Sequence, residues 1–184
     1  MSTTTATPSP VVAPLTKEQA AAEIQPIYDK VTQALGHMPN FYGTMARVPA
    51  ALEHFMKLYP AIVGRGKVEA RYKELAYLKT AQINGCEYCF RAHSFSGKKQ
   101  GVTDEQINSL TFFARSQAFD DKEKAVLLFA ERVTRGASAM RPRALEDLKQ
   151  YFDDDQIVEL TLTVCVANFT NRFNDTFNLA PDIG

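Results

Sequence analysis

The chain has 184 residues, enough to bury one substantial core and too few to demand a second domain. Lys and Arg total 21 and Asp and Glu total 21, so no net positive field gathers a phosphate backbone or an anionic membrane surface, and neither nucleic acid nor membrane is expected as a partner. Hydrophobic residues at 45% and charged residues at 23% give the balance of a soluble globular protein and exclude a disordered one.

The opening run, Met1 to Pro10, is small, polar and proline-bearing. It lacks the basic and apolar regions of a signal peptide, so residues 1–15 are expected to be a disordered tail and residues 16–184 a single helical domain. The most apolar stretch, Ile157 to Ala167, is too short to cross a bilayer and carries Glu159, Thr161 and Thr163. A cytoplasmic location follows as the expectation. Three cysteines, two of them close together, do not make a secreted disulfide framework; in a reducing compartment such a pair is catalytic or metal-binding.

From Lys17 the sequence reads as helix, with Thr16 placed to cap it and Pro26 to kink or restart it. Ile27, Val31, Ala34 and Leu35 continue an apolar face to Gly36, where a left-handed turn is expected. A loop over 37–40 leads to a second helix, and Pro49 opens a third that carries Leu52, Phe55, Met56 and Tyr59 inward and is punctuated by Pro60 and Gly64. Between Lys67 and Ile83, Val68, Tyr72, Leu75, Ala76, Leu78 and Ala81 recur at helical spacing without interruption.

Asn84-Gly85 then breaks the chain, which places Cys86 at or near the first turn of a helix running to Gln100 and stopped by Gly101. Thr103 with Gln106 is a capping-box pattern. Helices from Asp121 to Arg135 and from Pro142 to about Phe152 follow, and a last one has Asp153 to Asp155 as its acidic start and Ile157, Leu160, Val164, Ala167 and Phe169 inward. No stretch alternates at period two. The fold class is all-α, a multi-helix bundle.

The chemistry concentrates between Glu74 and His93. Cys86 and Cys89 on one helical turn face the same way and can form a disulfide after small adjustment. A helix N-terminus stabilises a thiolate, and His93, one turn beyond Cys89, is placed to act on its sulfur as proton acceptor or hydrogen-bond donor. The dipole favours Cys86 as the more acidic thiol, whereas proximity to His93 favours Cys89. Glu74 lies across the break, where a tight helix turn folds it back to orient the imidazole. The rival readings are two buried small residues, or zinc held by Cys86, Cys89, His93 and Glu74, against which stands the lack of a second Cys/His pair. His37 and His54 have no nucleophile nearby, Cys165 is expected buried and inert, and the residues 171–175 either line a pocket or form a hydrogen-bonded helix end.

Glu74, Cys86-Glu-Tyr-Cys89 and His93, preceded by Arg71, resemble the alkylhydroperoxidase D-like branch of the carboxymuconolactone decarboxylase superfamily. Met38 to Phe41 and Phe169 to Asn174 also resemble stretches of these proteins, so the likeness extends from about Ile24. It implies an all-helical homo-oligomer with its active site near subunit contacts. It also implies a peroxidase cycle in which Cys89 attacks an organic hydroperoxide or hydrogen peroxide, Cys86 resolves the product as a disulfide, and His93 and Glu74 relay protons. The reductant would be a dithiol, on a lipoylated or thioredoxin-like protein, and neither a cofactor nor a metal is implied. Tyr88 stands where the prototype has a histidine, which removes a base. A redox-sensing module and a lactone decarboxylase are the alternative functions.

Overall fold

The computed structural model describes residues 9–139 and 143–182. Among the described residues there are nine α-helices and no strand: α1 (Gln25–Leu35), α2 (Asn40–Met45), α3 (Pro49–Val63), α4 (Ala70–Asn84), α5 (Glu87–Lys99), α6 (Asp104–Ser109), α7 (Asp121–Gly136), α8 (Arg143–Lys149) and α9 (Asp154–Phe177). The expected helix start at Pro142 lies outside the described residues.

Everything is packed about α4. Its residues from Leu75 to Ala81 are buried consecutively, on every side, because α5, α7 and α9 all pack against it. Three apolar clusters surround this axis. Tyr77 and Ala81 join α1, α2, α3, the start of α5 and the last turns of α9; Ala76 joins α7, α8 and the first half of α9; Leu75 and Leu78 join α6, α7 and the loop before it.

The helix ends follow from local chemistry. Thr103, Asp120 and Asp153 each accept from the backbone N–H three residues on, and Gln106, Glu123 and Gln156 each reach back to the cap residue's own N–H. Gly36 closes α1 at φ 84° and Gly85 closes α4 at φ 74°, a left-handed conformation that a side chain would resist.

Two expected boundaries move. The segment from Lys17 is not an α-helix: it makes turns and a short 3₁₀ stretch over Ala22–Ile24 before α1. Pro26 is the reason, since it lacks an N–H and its ring excludes the carbonyl of an uninterrupted preceding turn, whereas it fits at the start of α1. Pro60, in contrast, does not end α3. The helix continues to Val63, and Lys73 Nζ donates to the end carbonyls of Ile62 at 2.9 Å and Gly64 at 2.7 Å.

Of the segment expected as a tail, residues 1–8 lie outside the described residues. Further along, Val11 N–H donates to Phe177 O and Leu15 N–H to Gly43 O, both at 2.9 Å. A Cβ on Gly43 would stand 2.9 Å from the Pro14 Cβ, so the absence of a side chain there lets this segment lie against α2.

On α9, Ile157, Leu160, Val164 and Ala167 are buried as expected, but Phe169 is 51% exposed and Cys165 is exposed rather than buried. The apolar residues of α9 form two stripes. The inner one follows 157, 160, 164 and 167, and Val158, Leu162, Cys165 and Phe169 recur at 158, 162, 165 and 169 on the outer one. No helix among the described residues is long and apolar enough to cross a membrane.

Candidate active site

Gly85 turns the chain so that α5 runs back along α4. Glu74 lies ten residues before the end of α4 and His93 six residues after the start of α5, roughly 15 Å and 9 Å along their axes, close enough for side chains to meet. Glu74 Oε2 is 2.8 Å from His93 Nδ1. Both side chains are largely buried, so this carboxylate fixes the tautomer: Nδ1 carries the hydrogen and Nε2 presents its lone pair. The Tyr59 hydroxyl meets Nε2 at 3.2 Å, and the Tyr77 ring stacks on the imidazole with centroids 3.4 Å apart. Both ring nitrogens are thus taken by groups other than sulfur, a difference from the direct contact that one helical turn between Cys89 and His93 suggests.

Cys86 is the N-cap of α5 and Cys89 lies in its first turn; both are buried free thiols. Cys89 Sγ accepts from Asn174 Nδ2 at 3.1 Å and lies 3.7 Å from Thr170 Oγ1, both on α9. The Cys89 thiol is held down to about 6, first by the hydrogen bond from the Cys86 thiol and also by the charge His93 carries when it takes up a proton, against the opposing effect of burial. The same pairing, together with burial, pushes the Cys86 thiol up. Position at the helix terminus alone favours Cys86, but the donors converge on Cys89.

A small pocket of about 70 Å³, partly open to solvent, reaches Cys89. Its wall includes Cys89, His93, Asn174 and the rings of Phe41, Tyr42 and Tyr59, and it does not include Cys86. Tyr88 also borders it, donating its hydroxyl to Asp182 Oδ1 at 2.6 Å. Burial and then that carboxylate push the Tyr88 phenol far up, so it does not replace a base.

The structure therefore brings together Glu74, Cys86, Cys89 and His93. It leaves His54 on its own helix, bonded to Ala50 O, and His37 3.8 Å from Asp182. Of the residues 171–175, Asn174 lines the pocket, whereas Asn171 accepts from Asn84 Nδ2 at 2.9 Å and Arg172 bonds within α9. Among the described residues no three His, Cys, Asp or Glu side chains converge as a metal-ligand set. Helical spacing marks Tyr59 as inward but not Tyr77 or Thr170, and because the three come from three helices nothing in the sequence says which hydroxyls meet.

Residues 49–132 match the carboxymuconolactone decarboxylase family. YdfG of Bacillus subtilis (strain 168) is 29% identical over 103 residues, which are 55% of this chain and 70% of that protein. The crystal structure of an alkylhydroperoxidase AhpD core, a peroxidase-related protein from Ralstonia eutropha, superposes with a TM-score of 0.85 at 19% identity, covering 96% of this chain and 94% of that one. The debrominase Bmp8, whose cysteine-to-alanine variant was crystallised with 2,3,4-tribromopyrrole, superposes with a TM-score of 0.79 at 21% identity, covering 94% and 91%.

Proposed function

We propose that the chain, whose residues 49–132 match the carboxymuconolactone decarboxylase family and whose fold is that of an AhpD core, is a cysteine-dependent hydroperoxide reductase in antioxidant defence. The observation that carries this reading is that Cys89, and not Cys86, lines the pocket beside His93 with its thiol held down to about 6.

The cycle starts with the Cys89 thiolate attacking the terminal oxygen of a hydroperoxide. An S–O bond forms, the O–O bond breaks, and the leaving oxygen takes the proton stored on His93, passed on by the Tyr59 hydroxyl bonded to Nε2, with Glu74 holding Nδ1. Asn174 Nδ2 holds the sulfur, and its Oδ1, buried without a protein partner, is left to accept the hydroperoxide's O–H. The Cys86 sulfur then attacks the Cys89 sulfenic acid: the S–S bond forms, the S–O bond breaks, and the hydroxyl leaves as water with the Cys86 proton. An external dithiol, lipoylated or thioredoxin-like, reopens the disulfide by exchange and takes up the oxidation.

Peroxide loss with dihydrolipoamide or dithiothreitol, followed for wild type, Cys86→Ser and Cys89→Ser, tests the proposal. Turnover is expected in wild type alone; undiminished turnover in both variants contradicts it. Stoichiometric zinc on the same thiols supports the metal reading instead, and a single oxidation without turnover supports a redox sensor.

A second reading is favoured by the aromatic wall of Phe41, Tyr42 and Tyr59 and by the shared fold with Bmp8. In it Cys89 takes the halogen from an aromatic halide, the ring gains a proton, and Cys86 displaces the halide from sulfur. Halide release from 2,3,4-tribromopyrrole under the same dithiol separates the two.

The chain is further proposed to form a homo-oligomer. Val158, Leu162 and Phe169 on α9 and Leu58 on α3 are large apolar side chains left exposed, which a second copy would cover. Light scattering is expected to give a multiple of the chain mass; a monomer at all concentrations contradicts this.

A further inference from the structure

The site contains more hydroxyls than the peroxidase cycle uses, and they fall in a row. Cys89 Sγ is 3.7 Å from Thr170 Oγ1, and Thr170 Oγ1 is 2.5 Å from the Tyr77 hydroxyl. The Tyr77 hydroxyl lies beside the Tyr59 hydroxyl, and Tyr59 meets His93 Nε2 at 3.2 Å. His93 Nδ1 ends the row on Glu74 Oε2 at 2.8 Å. The row draws on α3, α4, α5 and α9, and Tyr77 and Thr170 are buried.

We propose that the proton of Cys89 reaches His93 through the hydroxyls of Thr170, Tyr77 and Tyr59 rather than by direct transfer to the imidazole. The inference rests on Cys89 being the reactive thiol, and it names how that thiol is ionised. The obstacle to direct transfer is occupancy: Nδ1 is held by Glu74 and Nε2 by Tyr59.

The hydrogens balance in both states. Before transfer, the Cys89 S–H points to Thr170, and each hydroxyl donates to the next until Tyr59 donates to His93 Nε2. After transfer every bond in the row has reversed: His93 Nε2–H donates to Tyr59, Tyr59 to Tyr77, Tyr77 to Thr170 and Thr170 to the thiolate. One S–H bond has been lost and one N–H bond gained, with no tyrosinate left behind. Burial pushes both phenols up, so neither Tyr59 nor Tyr77 holds a charge at rest; each passes a proton only as it receives another.

Thr170 is the movable link. Its hydroxyl also has the Ala167 carbonyl within 3.0 Å, so in the thiol form it has an alternative acceptor on its own helix. Rotation about a single side-chain bond connects or interrupts the row. Tyr59, Tyr77 and Thr170 are thus proton-relay residues that act through His93 and Cys89.

A chain broken twice is no more broken than a chain broken once, and this gives the test. Iodoacetamide modification of Cys89 near pH 6 is followed in wild type, Tyr59→Phe, Thr170→Val, the double variant and Thr170→Ser, with first-turnover oxidation by hydrogen peroxide measured in parallel. Each single loss of a hydroxyl is expected to slow modification about ten-fold, and the double variant is also expected to lose about ten-fold instead of a hundred-fold. Thr170→Ser keeps the hydroxyl and is expected to stay within about two-fold of wild type.

Losses that multiply in the double variant, or no loss in either single variant, overturn the relay. So does a loss in Thr170→Ser equal to that in Thr170→Val, which marks packing as the cause. The modification experiment uses no peroxide. Non-additive modification without peroxide oxidation therefore retains the relay and rejects the peroxidase, whereas oxidation with multiplying losses does the reverse.

Discussion

Helix α4 carries two sets of buried ionisable side chains, and they are built differently. One set, spread around the helix, is Arg71, Lys73 and Lys79. Arg71 bonds Glu123 and Gln106, Lys73 is paired with Glu159 and two carbonyls, and Lys79 is 3.2 Å from Glu131 and donates to Leu110 O. Each of these charges meets an opposite charge and a fixed acceptor, so the set is closed. In the other set Glu74 holds a histidine whose second nitrogen meets a phenol, and the far end is a thiol in the wall of a pocket. A buried charge that is fully paired holds helices together; one whose partners are neutral, polarisable and open at one end is fitted to move a proton.

The largest expected effect comes from the open end. Cys89→Ser is expected to reduce peroxide consumption with dithiothreitol to the rate of buffer alone, a loss of at least about a thousand-fold, while leaving urea unfolding nearly unchanged. The closed set should respond the other way round. Glu159→Ala strands the Lys73 ammonium, which is 2% exposed in its side chain. It also frees the N–H of Lys67, which Glu159 Oε2 accepts at 2.8 Å. A loss of about 3–5 kcal/mol of stability is expected, with the pH profile of Cys89 modification preserved wherever the protein remains folded.

Glu74→Gln sharpens the contrast. It keeps the size of the side chain but removes the charge that selects the imidazole tautomer. Peroxide turnover is expected to fall about 10- to 100-fold, with unfolding shifted by less than about 1 kcal/mol. If stability falls instead as far as in Glu159→Ala, the two sets are not different in kind.

Cys86→Ala addresses the thiols themselves. Because the Cys86 hydrogen bond is the main cause holding Cys89 down, its removal raises Cys89. In wild type the modification rate should rise with pH and level off above about 6, since the anion is the nucleophile and is lost as pH falls through that value. In Cys86→Ala the midpoint should move up by about one unit, and Cys86→Ser, which keeps an O–H donor, should lie between. The smallest effect is expected at Cys165, exposed on the outer stripe of α9 and not in the pocket wall: Cys165→Ser should leave turnover and the midpoint as they are.

What the sequence made legible were features set by neighbours in the chain. The break at Asn84-Gly85, the caps at Thr103 and Asp153 and the left-handed Gly36 depend on residues within one or two turns, and all stand where local chemistry put them. The resemblance of Glu74, Cys86, Cys89 and His93 to a family motif singled out four side chains that do come together. Legibility failed where burial depends on distant packing. Cys165 and Phe169 belong to an apolar stripe that nothing in α9 distinguishes from the inner one; only the position of α4 decides which of the two is covered. Nothing in the local sequence marks Lys73 and Lys79 as buried, yet they are, because their partners arrive from α9 and α7. Asn174 and Thr170 meet Cys89 across more than eighty residues of sequence, a separation over which no periodicity carries information.

The central claim is that Cys89 is the atom that takes oxygen from the substrate and that Cys86 only resolves the product. In Cys86→Ser the sulfenic acid formed in one turnover has no resolving partner, and dimedone will trap it where it forms. Mass spectrometry after one equivalent of hydroperoxide should place a single dimedone adduct on Cys89, formed faster above pH 6 than below it. An unmodified Cys89, or an adduct confined to Cys165, would contradict the account.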